Sequence, residues 1–99
     1  MTYLEKEEDF EKLISNDLVL VDFYANWCGP CQMLSPVLEE LEKKNSEIKI
    51  IKIDVDKFQD LARKNGIMSI PALKVYKNSE LINQTVGYLE LEELETLIK

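Results

Sequence analysis

Two cysteines, Cys28 and Cys31, are the residues of this chain best suited to chemistry, and the chain has no others. They stand in the segment Trp27-Cys-Gly-Pro-Cys31, where an apolar strand is predicted to end and a helix to begin. A thiol at a helix N-terminus ionises more readily, because unpaired N–H groups and the helix dipole stabilise its anion. The two-residue spacing lets Cys31 attack a mixed disulfide formed at Cys28. The pair is therefore predicted to be a redox-active dithiol.

Two other uses of such a pair stay open on the residues alone. Half of a zinc or iron–sulfur site would need further ligands, and the chain has no histidine and no third cysteine. Two buried, inert thiols are the second alternative, but Gly29 and Pro30 between them would fill a core poorly. Pro30 instead suits the first turn of a helix, where the N–H that it lacks would be unpaired.

The hydrophobic pattern supplies the strand and the helix that must position the two cysteines. Residues 18–25 are apolar on both parities, which is typical of a central strand covered on both faces. The helix that follows carries Pro36, which should kink it. One face of this helix is apolar and consists of Met33, Leu34, Val37, Leu38 and Leu41.

The remaining pattern alternates between helical and strand periods and predicts an α/β fold. A short helix after residue 56 should be capped by Asp56 and end at Gly66. A hairpin is expected to turn at Asn78-Ser79. The other predicted elements are an edge strand at 2–4, a helix at 6–16, strands at 48–55, 73–76 and 81–86, and a closing helix at 91–98 without a Ser, Thr or Asn cap. The order (β)αβαβαββα predicts a mixed central β-sheet flanked by helices on both faces.

Length and charge narrow the classes of function. The 99 residues predict a single domain, 1–99, and one core accounts for every helix stripe, so a monomer is expected. Twelve basic and nineteen acidic residues give a net charge of −7, which repels nucleic acids and anionic membranes. The acidic N-terminus has no apolar stretch typical of a signal peptide, so a cytoplasmic protein is expected.

The segment Val21-Asp-Phe-Tyr-Ala-Asn-Trp-Cys-Gly-Pro-Cys31 resembles the active-site signature of the thioredoxin family almost residue for residue. The resemblance covers essentially the whole chain at the spacings that this family uses. It extends through Met33, Pro36, residues 52–56, Gly66-Ile67, Ile70-Pro71 and Gly87. It implies a thioredoxin fold and a chemistry of dithiol–disulfide exchange.

The resemblance implies a role for each catalytic residue. Cys28 would be the nucleophile that attacks a substrate disulfide, and Cys31 would be the resolving thiol. Asp22 stands in an apolar strand, where burial should raise a carboxyl pKa, and it would deprotonate Cys31 through water. Lys52 would pair with Asp22 and tune it. On the residues alone, Asp22 and Lys52 could instead be solvated.

The resemblance also implies a docking surface for target proteins, flat and mostly apolar. In this family Pro71 is cis and faces the cysteines, so that the backbone beside it can pair with an extended target segment. Trp27 by itself could also be a core residue. The docking surface would consist of Trp27, Gly29, Pro30, Ile70, Pro71, Gly87 and Tyr88.

The activity so implied is that of a protein-disulfide reductase and electron carrier that serves redox homeostasis. It would reduce disulfides in diverse target proteins and be re-reduced by a separate thioredoxin reductase. The chain has no nucleotide-binding fingerprint, so no cofactor is expected to be bound and any flavin or nicotinamide must belong to that partner. No metal is expected.

Two other functions stay open. One is a thiol oxidase or isomerase of the same family, whose members tend to carry histidine between the cysteines. Gly29 and Pro30 should tune the pair differently, because they add no charge. The other is a non-catalytic thioredoxin-like binding subunit of a larger complex.

Four positions depart from the commonest pattern of the family. Gln32 stands where lysine is frequent, Tyr24 where tryptophan is frequent, and Ala72 where threonine is usual. Ser79 stands where glycine is usual, which predicts a different type of hairpin turn. These departures bear on reduction potential and partner preference, since none removes a catalytic group.

Overall fold

A five-stranded mixed sheet runs through the computed structural model, which describes residues 1–99. The strand order is β1-β3-β2-β4-β5, so the predicted fold class and element order are confirmed. The elements are β1 (Thr2–Tyr3), a 3-10 turn (Glu7–Asp9), α1 (Phe10–Leu13), β2 (Leu18–Tyr24), α2 (Gly29–Lys44), β3 (Lys49–Asp54), α3 (Gln59–Lys64), β4 (Ala72–Lys77), β5 (Glu80–Val86) and α4 (Leu91–Leu97).

Strand β2 lies at the centre of the sheet and is buried on both faces. It pairs in parallel with β3 and antiparallel with β4. Its odd-numbered side chains join a core with Phe10 of α1 and Leu61 of α3. Leu20 joins a second core with Leu34 of α2 and Leu94 of α4. The prediction of a central strand with helices on both faces is therefore confirmed.

The first helix and the start of α3 differ from their predictions. The first helix is only a 3-10 turn and one α-helical turn, because the side chains of Ser15 and Asn16 donate to the carbonyls of Lys12 and Leu13 and end it. Asp56 does not cap α3. The N-cap position of α3 is Phe58, and no side chain caps the helix. Asp54 Oδ1 accepts the N–H groups of Asp56 at 2.9 Å and of Lys57 at 3.4 Å in the turn before the helix.

The closing helix α4 begins without a Ser, Thr or Asn cap, as its sequence predicts. A glutamate side chain accepts the N–H of its N-cap residue instead. The backbone N–H of Glu90 donates to Oε1 of Glu93 at 3.0 Å. This is one half of a capping box, in which a carboxylate three residues on satisfies the first unpaired N–H. The longest helix is α2, with 16 residues, and no helix here is long and apolar enough to cross a membrane.

The β4–β5 turn contradicts the expected change of turn type. Asn78 and Ser79 both have positive φ, 52° and 71°, which is the pattern of the turn that Asn-Gly usually forms. The left-handed region costs a residue with a Cβ about 1–2 kcal/mol. The expectation was wrong because the twist of the two strands selects this turn whichever residue occupies position 79.

Replacing Ser79 by glycine should stabilise the fold. Glycine removes the steric cost of the left-handed conformation but loses more backbone entropy, so we expect a net gain of about 0.5 kcal/mol. Urea unfolding measures it. Ser46→Gly is the matched control, because Ser46 is exposed and has no positive φ, so glycine there should destabilise. Equal effects at both positions would contradict the strain assigned to Ser79.

Candidate active site

Cys28 is the N-cap residue of α2, and it is joined to Cys31 by a disulfide bond. Its Sγ accepts a hydrogen bond from the backbone N–H of Cys31 at 3.2 Å. Cys28 N–H in turn donates to the carbonyl of Ala25, which holds the turn between β2 and α2. A helix N–H and the positive end of a 16-residue helix therefore point at Cys28 Sγ, as the sequence predicts.

The two cysteines are almost fully enclosed, with exposed fractions of 5% for Cys28 and 2% for Cys31. They form a small apolar cluster with Ala25, against which Val55 and Ile70 pack. The fold thus brings Ile70, which lies far from the cysteines in sequence, into contact with their cluster.

Pro71 follows a cis peptide bond and is buried, so its ring offers little surface to a partner. Its carbonyl accepts the N–H of Gly87 at 2.7 Å, which holds the segment before β4 beside the end of β5. The backbone N–H and carbonyl of Ile70 make no hydrogen bond within the chain.

Trp27 is 71% exposed and is therefore not a core residue. Its indole N–H donates to Asp56 Oδ2 at 2.8 Å, which anchors the edge of the ring while a face stays open. Gly29 and Pro30 are also exposed, and Tyr88 is 39% exposed. An added Cβ at Gly29 or Gly87 would meet no atom within 4 Å.

Asp22 and Lys52 form a buried ion pair across β2 and β3. They occupy directly opposite positions in the parallel register, and Lys52 Nζ lies 3.1 Å from Asp22 Oδ2. The exposed fractions are 0% for Asp22 and 4% for Lys52, so neither residue is at a solvated edge. Burial raises the pKa of Asp22 above its ordinary value, and the charge and hydrogen bond of Lys52 only partly oppose that rise.

The Lys52 ammonium makes two further contacts that the sequence pattern did not predict. Ser35 Oγ lies 3.4 Å from Nζ, and the ring centroid of Tyr24 lies 4.7 Å from it. Both have a signal in the sequence: Tyr24 shares the parity of Asp22 on β2, and Ser35 follows Cys31 by one helical turn. Cys31, Ser35 and Lys52 line one pocket of about 190 Å³. Cys31 and Lys52, the cationic member of the ion pair, therefore border the same small space.

The donor set argues against a resident metal. No group of three or more histidine, cysteine, aspartate or glutamate side chains is arranged to hold an ion. The two cysteines are the only thiol ligands, the chain has no histidine, and structural zinc sites need four good donors.

A central strand that delivers a Cys-Gly-Pro-Cys disulfide to a helix N-terminus, above a buried carboxylate, defines a thiol–disulfide oxidoreductase. Known proteins agree with this class. The thioredoxin family model matches residues 1–99. Thioredoxin of Bacillus subtilis (strain 168) is 46% identical over 93 residues, which cover 93% of this chain and 89% of that protein. Thioredoxin of Listeria monocytogenes is 46% identical over 90 residues, covering 90% and 87%.

Solved structures lead to the same family. A mutant thioredoxin from Halobacterium salinarum NRC-1 superposes with a TM-score of 0.91 at 40% identity, covering 98% of this chain and 86% of that one. Plasmodium falciparum thioredoxin gives 0.91 at 37% identity, covering 99% and 96%. The chain belongs to the thioredoxin family. It is a protein-disulfide oxidoreductase of the reductase type, with Cys28 and Cys31 as its redox-active pair.

Proposed function

We propose that this protein carries electrons from a separate thioredoxin reductase to disulfides of diverse target proteins, with Cys28 as the attacking thiol and Cys31 as the resolving thiol. The observation that carries the proposal is the position of Cys28 at the N-terminus of α2, where its Sγ already accepts a backbone N–H. The same environment stabilises the thiolate in the reduced protein.

The exchange proceeds in two steps. The Cys28 thiolate attacks one sulfur of the target disulfide, so that a Cys28–target bond forms while the target bond breaks, and the released target thiolate takes up a proton. Cys31 then loses its proton and attacks Cys28 Sγ. The Cys28–Cys31 bond forms, the Cys28–target bond breaks, and the target leaves as a dithiol. Two electrons have passed from this protein to the target.

Asp22 takes up the proton of Cys31 in the second step, and Lys52 positions and tunes Asp22. The pKa of Asp22, raised by burial, brings its proton affinity closer to that of a thiol. The pocket beside Cys31 is also lined by Ser35 and by Lys52, the partner of Asp22, and its volume of about 190 Å³ has room for water. Gly29 and Pro30 keep the dithiol reducing in character, because they place no second charge beside the thiolate.

Target proteins dock on the surface formed by Trp27, Gly29, Pro30, Ile70, Pro71, Gly87 and Tyr88. The free backbone groups of Ile70 support strand-like pairing with an extended target segment. Pro71 contributes mainly its backbone position, since its ring is buried. The open space beside Gly29 and Gly87 leaves room for the target chain.

We also propose where and in what form the protein carries out this reaction. The single domain 1–99 acts as a cytoplasmic monomer in redox homeostasis, binds no cofactor, and receives reducing equivalents from the reductase. Neither the site nor the relatives favour a thiol oxidase, an isomerase or a non-catalytic binding subunit. The absence of a charge at Gly29 and Pro30 supports electron flow from this protein to its targets, as in a reductase.

A redox titration tests the proposed direction of electron flow. Cys28 and Cys31 are equilibrated with glutathione or dithiothreitol buffers, and Trp27 fluorescence reports the disulfide beside it. We expect a midpoint well below the glutathione couple, which lies at about −240 mV. A midpoint well above that value would make the protein an oxidant and overturn the proposal. Formation of no disulfide at all would favour the binding subunit.

Replacing Trp27 by alanine should slow reduction of protein targets much more than of small disulfides. The exposed indole is the largest side chain of the docking surface, and aromatic anchors often contribute most of the energy of an interface, so we expect a loss of about tenfold in kcat/KM for insulin. Thionitrobenzoate disulfide, which needs no docking surface, is the small substrate.

Asp56→Ala is the matched control for Trp27→Ala, because it keeps the indole ring and removes the carboxylate that accepts its N–H. It should cost less than the loss of the ring. Equal slowing of both substrates by Trp27→Ala would show that Trp27 acts on the cysteines and not on docking.

A further inference from the structure

Lys74 is an unpaired cation in a partly enclosed place. Lys52 and Lys74 are the only basic side chains that are not exposed. Lys52 has Asp22 as its partner, whereas Lys74 takes part in no ion pair. Its ammonium donates to one acceptor, the carbonyl of Asn65, at 2.6 Å. An ammonium has three N–H donors, so two of them have no protein acceptor.

A structural role explains the contact between Lys74 and Asn65, but it leaves the other two N–H donors of the ammonium unexplained. Asn65 follows the last residue of α3, and a cation at a helix C-terminus stabilises its free carbonyls. This contact uses a single donor of Lys74. Burial lowers the pKa of Lys74, because partial desolvation disfavours its charged form.

Lys74 is the only charged residue that lines a pocket of about 260 Å³. One wall of the pocket is the loop 66–69, and the other consists of residues 72–74 of β4 and 84–86 of β5. Ser69, Gln84 and Thr85 add polar groups to the lining. Its apolar lining includes Met68, with an exposed fraction of 96%, and Val86, with 58%.

The pocket adjoins the docking surface of the proposed function. Ser69 and Ala72 line it, and they flank Ile70-Pro71 on both sides in sequence. Val86, which also lines it, directly precedes Gly87. A target chain lying along Ile70 can therefore direct a side chain into this pocket.

We propose that this pocket, named here the Lys74 subsite, receives an acidic side chain of a target protein docked at Ile70-Pro71, with the Lys74 ammonium as its counter-ion. The inference rests on the docking surface of the proposed function. A carboxylate matches the two free donors and the charge, and Met68 and Val86 contact its aliphatic stem. The net charge of −7 repels acidic groups from most of the protein surface. Lys74 therefore makes the subsite a place where an acidic target side chain is preferred.

Peptides linked through one cysteine to thionitrobenzoate test the subsite. Attack of the Cys28 thiolate on the peptide sulfur forms the Cys28–peptide bond and releases thionitrobenzoate, whose absorbance gives the rate constant. Glutamate or glutamine is placed in turn at each of four positions on both sides of the peptide cysteine. At one position, or two adjacent ones, glutamate should react about three- to tenfold faster. Rates are normalised to those with dithiothreitol, which corrects for intrinsic reactivity.

Variants of Lys74 test whether this residue causes the preference for glutamate over glutamine. Lys74→Gln should bring the glutamate-to-glutamine ratio to about one, and Lys74→Arg should keep the preference. Lys77→Gln is the matched control, because Lys77 lies on the same strand but is exposed, and the ratio should stay as in the wild type. Lysine at the preferred peptide position should react more slowly than glutamine with the wild type, which tests the subsite without any variant.

The subsite is overturned if no peptide position shows a preference that depends on Lys74, or if Lys77→Gln removes the preference equally. Failure of the docking surface gives a different result. Trp27→Ala would then leave the rates of all peptides unchanged, whereas the glutamate-to-glutamine ratio reports only on Lys74.

Discussion

Cys31→Ser should convert the protein from a catalyst into a covalent trap for its targets. Cys28 keeps its place at the N-terminus of α2 and still attacks, so the Cys28–target disulfide forms. No thiol follows in the chain to break that bond, because Cys28 and Cys31 are the only cysteines. Turnover with excess target should fall to the background rate, and the complex should persist on a non-reducing gel.

Cys28→Ser should lose both the trap and the reaction, since a serine hydroxyl stays protonated at neutral pH and is a poor nucleophile towards sulfur. Mass spectrometry of the trapped species identifies the cysteine that carries the target. Trapping by Cys28→Ser and not by Cys31→Ser would reverse the two roles. Cys28→Ser combined with Cys31→Ser is the control, because binding that survives in it would be a function separate from exchange.

Lys52→Met should destabilise the oxidised protein by about 3 kcal/mol at neutral pH, because it leaves the buried Asp22 carboxylate without its cation. Asp22→Asn combined with Lys52→Met should restore the free energy of unfolding to the wild-type value or above it. Buried ion pairs replaced together are often neutral or stabilising by about 1–4 kcal/mol. Urea unfolding of the four proteins completes a double-mutant cycle.

The pH dependence of this cycle has a definite sign. Asp22 has a raised pKa in the folded protein, so the folded state binds its proton more tightly than the unfolded state does. The cost of ionising Asp22 is absent below its ordinary pKa of 3.8 and complete above its folded pKa. Asp22→Asn by itself removes this cost and should therefore stabilise the protein. Its gain, and the loss from Lys52→Met, should grow as pH rises through that window. A loss independent of pH would contradict the assignment of the effect to Asp22.

The same substitution should separate stability from catalysis. Asp22→Asn should slow release of the target from Cys28 by about tenfold, less than the roughly 100-fold typical of a positioned acid or base. The smaller effect is expected because exposed residues such as Gln32 line the pocket beside Cys31 and let water accept the proton. Unchanged release rates in stopped-flow measurements would remove Asp22 from the mechanism.

Local pattern in the sequence determined the elements and the position of the cysteine pair. The strand predicted at 18–25 is Leu18–Tyr24, and the hairpin turns at Asn78-Ser79. Cys28 lies at the start of α2, where the change from strand to helical periodicity predicts it. These features depend on residues a few positions apart, and both the periodicity and the helix dipole act over that range.

Helix ends were predicted less well, because several side chains compete for the same backbone groups. Asp54 and Asp56 both precede α3, but the loop places neither carboxylate at its N-cap, and Asp54 accepts N–H groups of the turn before the helix. Asp56 is left to accept the indole N–H of Trp27, a contact that no local pattern indicates.

On the residues alone Asp22 and Lys52 could have been solvated, and the tertiary structure decided that they are buried and paired with each other. Strand register places Lys52 opposite Asp22, and the packing of α2 brings Ser35 into contact with the Lys52 ammonium. These three residues are far apart in sequence. The burial of Pro71 and the lack of a counter-ion at Lys74 likewise depend on which elements pack around them. Periodicity shows that a face is apolar, but sheet order and helix packing determine what lies against it, and desolvation and ion pairing depend on that contact.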